Sequence, residues 1–244
     1  MTGARIAAGV ALLLAMTAGA QDAIVVGLNA DRLSDGNGGG ASALWIHPHA
    51  TGTLTAGASF FSLPNTRWGY ATWGVVQPLG PRTMLNGEAS LGRGSDDDGG
   101  FRYLLVRGGV TRELLAKRLY GEAEWLQVDV ARRQNGILRA GGTWLPSPPL
   151  TVRGSLFQSI SGDDDTTLLT MRGDYDFGRM TAIAGFSAGH ATPVLLQQPG
   201  GGRTRVREAF AGVVVDAWTL VVTAGNDRQR VALSWRVPLP GGSG

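Results

Sequence analysis

Between Thr166 and Phe177 the chain alternates. Thr167, Leu169, Met171, Gly173, Tyr175 and Phe177 form one set, and Thr166, Leu168, Thr170, Arg172, Asp174 and Asp176 the other. A period of two marks a strand with one apolar and one polar face. Arg230 to Leu239 repeats it, with Val231, Leu233, Trp235, Val237 and Leu239 set against Arg230, Ala232, Ser234 and Arg236. So do the segments beginning at Arg82 and Thr151. Helical periodicity is almost absent past the first twenty residues, and Gly, Pro, Asn and Asp clusters punctuate the pattern. Strands are predicted over 23–30, 41–47, 51–61, 67–77, 82–91, 100–111, 118–130, 134–145, 150–160, 166–177, 179–190, 204–215, 217–225 and 228–238. The first two carry the weakest pattern, so the count is about 12–14. Within 119–130 the alternation changes phase near Trp125 and Leu126, which reads as a bulge or the end of an apolar-facing stretch.

The connections say which solvent each face meets. Taken alternately, one set is short: 47–50, 77–81, 145–149, 177–179 and 215–217, with 111–117 as the exception. The other set includes 31–40, 94–99, 161–165 and 191–203. Outer-membrane barrels have short periplasmic turns, longer outer loops and both termini in the periplasm. Trp45, Trp73, Trp144, Trp218 and Trp235 all fall near the ends assigned to the periplasm, as an interfacial girdle requires. The polar faces carry Arg82, Glu88, Glu122, Glu124, Arg153, Arg172, Asp174, Asp176, Arg205, Arg207, Arg230 and Arg236. A soluble sandwich would turn such faces to water and leave sheet edges to protect. A closed sheet satisfies every backbone group in lipid and puts these residues in its lumen. The fold class predicted is all-β: a single transmembrane, antiparallel, up-and-down β-barrel whose lumen those twelve residues line.

Composition adds the compartment. Arg5, the apolar run Ile6 to Met16 and the small-x-small Ala18-Gly19-Ala20 read as a cleavable signal over 1–20, with the barrel domain over 21–244. There is no cysteine to staple a small scaffold, and 38 glycines lack the collagen period. A net charge of +3, with Lys117 the single lysine, argues against a nucleic-acid partner.

Candidate chemistry is sparse. Asp96 to Asp98 and Asp163 to Asp165 could offer carboxylates to Ca²⁺ or Mg²⁺, but no calcium-loop spacing is present, and they read as a hydrated acidic rim. The lumen charges could form a pathway for ions or sugars, or pair and plug a narrow bore. His47 and His49 flank Pro48 in a periplasmic turn without further metal ligands in view. His190, at the outer end of a strand, could face Ser161 or Asp163 to Asp165 and make an outer-rim hydrolase. Pro199-Gly200-Gly201-Gly202 lacks the following helix that a phosphate loop needs. No cofactor and no catalytic residue is assigned.

The whole mature chain resembles a Gram-negative outer-membrane β-barrel protein. The tract 119–193, with its tandem alternating strands and "RGDYDFGRMTAIAGFSAGH", resembles the YaiO-type barrels, which are associated with exopolysaccharide systems. The resemblance implies outer-membrane lipid, lipopolysaccharide and the barrel assembly machinery as partners, with small hydrophilic solutes or polysaccharide as cargo. Barrel chains usually finish on an aromatic residue at the end of the last strand, whereas this one runs on through Pro240-Gly241-Gly242-Ser243-Gly244. The expectation is a monomeric, noncatalytic channel or envelope component. The alternatives are the His190 hydrolase and a secreted soluble β-sheet ligand-binding protein.

Overall fold

The computed structural model describes residues 21–130, 133–162, 165–191, 204–226 and 228–239; the signal expected over 1–20 lies outside them. Fourteen strands follow one another: β1 (Ala23–Leu33), β2 (Gly36–His49), β3 (Gly52–Leu63), β4 (Thr66–Pro78), β5 (Thr83–Asp96), β6 (Gly99–Leu115) and β7 (Leu119–Val130). The second half comprises β8 (Arg133–Ser147), β9 (Leu150–Gly162), β10 (Thr167–Asp176), β11 (Met180–Ala191), β12 (Thr204–Val215), β13 (Trp218–Gly225) and β14 (Arg228–Pro238). Each pairs antiparallel with its neighbours in sequence, and β1 closes on β14 from Ala23↔Pro238 to Leu33↔Arg228. No edge remains. The described residues contain no helix. Both ends of the barrel segment emerge on one side, the periplasmic side of an outer-membrane barrel.

The alternation decides which face of each strand meets lipid. Val26, Leu28, Phe60, Leu91, Val106, Leu156, Leu169, Phe186, Val222 and Leu233 are exposed on the outer surface. The positions between them turn inward. Trp45, Trp73, Trp144, Trp218 and Trp235 stand exposed at the periplasmic end of that apolar belt, with Trp218 and Trp235 stacked at 5.1 Å across β13 and β14. An apolar belt with a one-sided tryptophan girdle suits a lipid boundary.

Three expectations are corrected. The segment 31–40 is no loop: β1 and β2 run through it and turn across residues 34–35. Its Gly38 and Gly40 lie where a Cβ would strike the Leu63 and Phe61 side chains, so they sit in the strand to receive a neighbour's bulk. The Asp96–Asp98 loop is likewise a turn of residues 97–98, with Asp96 accepting a hydrogen bond from the Asp98 amide. These two outer connections are thus as short as the periplasmic ones, whereas twelve residues still separate β11 from β12. Finally, β7 keeps register with β6 and β8 through Trp125 and Leu126. The bulge is absent, and the other reading holds: beyond Trp125 the outward positions are Gln127 and Asp129, while the apolar Leu126, Val128 and Val130 face inward.

Candidate functional site

The lumen wall is built from the inward series of each strand, and on β6 to β10 that series changes character at one level. Toward the periplasm it supplies Arg107 from β6, Glu122 and Glu124 from β7, Arg139 and Thr143 from β8, Arg153 and Ser155 from β9, and Arg172 and Asp174 from β10. One or two inward positions further out, it supplies Leu105, Leu126, Ile137, Phe157 and Leu168. The charges form a ladder around the wall. Glu88 accepts from Arg107 at 2.8 Å, and Arg107 lies 3.6 Å from Glu124. Glu124 also accepts from Asn86 at 3.1 Å and Arg139 at 3.3 Å. Arg139 reaches on to Glu122 at 2.8 Å and to the Ser155 hydroxyl at 2.9 Å, and Thr143 donates to Glu122 at 3.0 Å. Arg172 donates to Asp174 at 2.6 Å, whose other oxygen is 3.9 Å from Arg153.

Four arginines (Arg107, Arg139, Arg153, Arg172) thus meet four carboxylates (Glu88, Glu122, Glu124, Asp174), and the ladder is neutral as a set. Closed-shell pairing of this kind holds long side chains against the wall, since freeing either partner would strand a half-buried charge. Arg107 Nε and Arg153 Nε are the two buried side-chain polar atoms without a partner among the described residues.

The outer half of the lumen is apolar on two sides. Phe61, Trp68, Tyr103, Leu105, Val128 and Val130 pack together, with Leu63, Tyr70 and Phe101 partly open beside them. Their rings lie flat because glycine makes room. Tyr70 and Tyr103 stack at 4.7 Å across β5, whose Gly92 and Gly94 face inward, and a Cβ on Gly92 would fall 2.1 Å from the Gly69 carbonyl. Leu168, Ala191 and Val206, with Phe157, make the smaller second cluster. In between, on the β1–β14 seam, Asp31 accepts from Arg228 at 2.7 Å and from Arg230 at 2.6 Å, all three fully or nearly buried. At mid-height the inward positions of β1 to β3, β13 and β14 include the small residues Gly27, Ser42, Gly57, Ser59, Thr223, Ala232 and Ser234, with Leu44 and Val221 the apolar residues of size among them. The ladder and the aromatic cluster therefore crowd one arc of the wall, and the other is thinner, carrying mostly small side chains beside Leu44 and Val221.

The structure brings Glu88, Glu122, Glu124, Arg153, Arg172 and Asp174 together in the ladder and puts Arg230 in the buried seam cluster. Arg236 faces inward near the periplasmic end. Four residues fall elsewhere. Arg205 and Arg207 are exposed on the outer surface, because Val206 and Phe210 take the inward phase of β12. Arg82 is exposed in the turn 79–82, and Asp176 caps the turn after β10 by accepting from the Gly178 amide at 2.7 Å. Sequence reasoning missed Arg107, Arg139, Asp31 and Arg228. The first two share the inward phase of their strands with Leu105 and Ile137, and that apolar company disguised the phase. Asp31 was lost to the supposed loop.

The remaining candidates are dispersed. His190 stands on the outer surface, in register with Thr167 and Arg205, so neither flanking position offers a serine or a carboxylate. Of the second aspartate triplet, Asp163 and Asp164 lie outside the described residues, as does Pro199-Gly200-Gly201-Gly202. His47 Nδ1 pairs with Asp22 at 2.7 Å beside the Trp45 ring, and no group of three or more metal-ligating side chains occurs among the described residues.

No protein family matches the chain, and no curated protein does either. Solved structures do match. The TodX ΔS2S3 mutant, a monoaromatic hydrocarbon channel, superposes with a TM-score of 0.68 at 12% identity, covering 93% of this chain and 92% of that one. CymD, also a monoaromatic hydrocarbon channel, gives 0.68 at 10% identity, with 91% and 89% covered. The Acinetobacter baumannii outer-membrane protein Omp33 gives 0.56 at 11% identity, with 91% and 100% covered. At these identities the likeness establishes the fold: a closed fourteen-stranded antiparallel barrel of the outer-membrane kind, in keeping with the apolar belt and girdle. Nothing in these likenesses is specific to the YaiO-type barrels.

Proposed function

We propose that this chain is a noncatalytic outer-membrane channel whose lumen passes small solutes along its thin arc, past the charge ladder. The observation that carries the reading is the division of the wall. A self-neutralised ladder fixed to β5 through β10 faces small side chains on β1 to β3, β13 and β14. A plug would need the ladder's long side chains to reach partners across the lumen; each of its ion pairs joins residues of the same or adjacent strands.

The cargo favoured is a small solute with an apolar body. Tyr70, Phe101 and Leu63 offer partly open apolar surface in the outer half, above the charge ladder. TodX and CymD, which share the fold, bear the description of monoaromatic hydrocarbon channels. This shifts the emphasis from the purely hydrophilic cargo that the charge pattern suggests. An exopolysaccharide role rests on the tract 119–193 alone. Uptake into proteoliposomes tests the choice. Monoaromatic solutes should enter faster than into protein-free vesicles, and faster than a hexose of similar size. Equal rates for protein-containing and protein-free vesicles would end the proposal.

A further inference from the structure

On the outer surface of β4, β5 and β6, above the apolar belt, three arginines stand together. Arg67 lies between the buried Thr66 and Trp68, so its own side chain must point away from the lumen. Arg93 lies between Gly92 and Gly94, the inward positions that Tyr70 and Phe101 cover. Arg102 lies between Phe101 and Tyr103, both in the lumen cluster. All three are exposed. Arg93 is the direct cross-strand partner of Arg102, and Gly69, two residues from Arg67, is the partner of Arg93. Directly opposed residues hold their Cβ atoms about 5 Å apart and diagonal ones about 7–8 Å, within reach of a shared ligand for side chains of this length.

Like charges placed opposite one another destabilise a sheet. Inside the barrel Arg107, Arg139, Arg172, Arg228 and Arg230 all hold carboxylates, whereas Arg112, Arg205 and Arg207 on the outer surface hold none among the described residues. Arg67, Arg93 and Arg102 hold none among the described residues; Asp97 and Asp98 make the turn of the β5–β6 hairpin, and Asp129, outward on β7 opposite Leu104, accepts from Gln134 at 3.4 Å. Immediately toward the belt, on the same outward phase, lie Leu91 on β5, Leu104 on β6 and, on β3, Phe60. The triad therefore sits where acyl chains give way to headgroups in the outer leaflet. Guanidinium forks match phosphate oxygens in planar, bidentate geometry, and a low-dielectric flank strengthens such bonds.

We propose that Arg67, Arg93 and Arg102 form a binding site for the phosphorylated glucosamine headgroup of lipid A, with Leu91, Leu104 and Phe60 taking its acyl chains. The proposal rests on the outer-membrane setting and not on the lumen being a channel, so the two fail separately. The site deepens the role of lipopolysaccharide from general surroundings to a specific ligand.

The test is lipid binding to the folded mature barrel in detergent, read by native mass spectrometry. The lipids are diphosphoryl lipid A, dephosphorylated lipid A and phosphatidylglycerol, with inorganic phosphate as competitor. Diphosphoryl lipid A should bind at least tenfold more tightly than its dephosphorylated form. Arg93→Gln and Arg102→Gln should each weaken it roughly tenfold, the worth of one charge-assisted hydrogen bond. Arg112→Gln, on the same outer face but at the periplasmic end of β6, should change nothing. Since the triad is exposed, each variant should keep the heat-modifiable folded band. Equal binding of dephosphorylated lipid A, or indifference to the glutamine variants, would overturn the site. Displacement of lipid A by equimolar phosphatidylglycerol, or by millimolar phosphate, would overturn lipid A as its ligand.

Discussion

Asp31 shows how much one side chain can hold in this barrel. Its carboxylate is fully buried and accepts from Arg228 and Arg230, which fastens the last strand to the first where the sheet closes. Removing one partner of a buried pair costs more than the pair contributes, because the stranded charge keeps its desolvation penalty. Asp31→Ala should therefore destabilise the folded barrel by about 3–5 kcal/mol, read as a lower temperature for the heat-modifiable gel shift. A shift matching that of an exposed control such as Asp98→Ala would contradict the account. Glu124 makes a second residue-scale case, since it is shared between Arg107 and Arg139. Glu124→Gln leaves the ladder with one net positive charge, so the reversal potential in a salt gradient should move toward anion preference. No movement would mean that permeating ions do not pass the ladder.

At the scale of the strand, period-two alternation located twelve elements well, because lipid on one side and charge on the other make the two faces chemically different. It failed where that contrast vanished. Gly36 to Gly40 read as a turn on composition, yet they continue β2, with Phe61 and Leu63 lying over Gly40 and Gly38. Along β7 the outer half of the lumen is itself apolar, so Leu126, Val128 and Val130 imitate a lipid face and the hydropathy changes phase while the register does not. The ladder was partly legible for the same reason. Glu88, Glu122 and Arg172 stand among polar inward neighbours, whereas Arg107 and Arg139 border Leu105 and Ile137. Arg205 and Arg207 misled because charge at the outer end of a strand looks like lumen charge when only polarity is read. Gly92 offers a test at this scale. A Cβ there would also sit 2.6 Å from that of Tyr70, so Gly92→Val must displace the ring that stacks on Tyr103. The near-ultraviolet circular dichroism of the tyrosines should fall while the far-ultraviolet strand signal stays. An unchanged aromatic signal would refute the packing described.

The whole molecule joins two solvents through one sheet. Its outside is an apolar belt with tryptophans at the periplasmic rim and arginines at the outer one. Its inside is a wall crowded on one arc and thin on the other. That asymmetry makes the channel reading specific: flow should depend on the small residues and only secondarily on the charges. Single-channel conductance of the refolded mature protein in a planar bilayer, compared with Ser59→Trp on the thin arc, tests this most directly. The account predicts discrete steps for the native sequence and a conductance at least halved by the tryptophan, with folding intact by heat-modifiable migration. A barrel that inserts and stays silent, or steps that the tryptophan leaves unchanged, would contradict it.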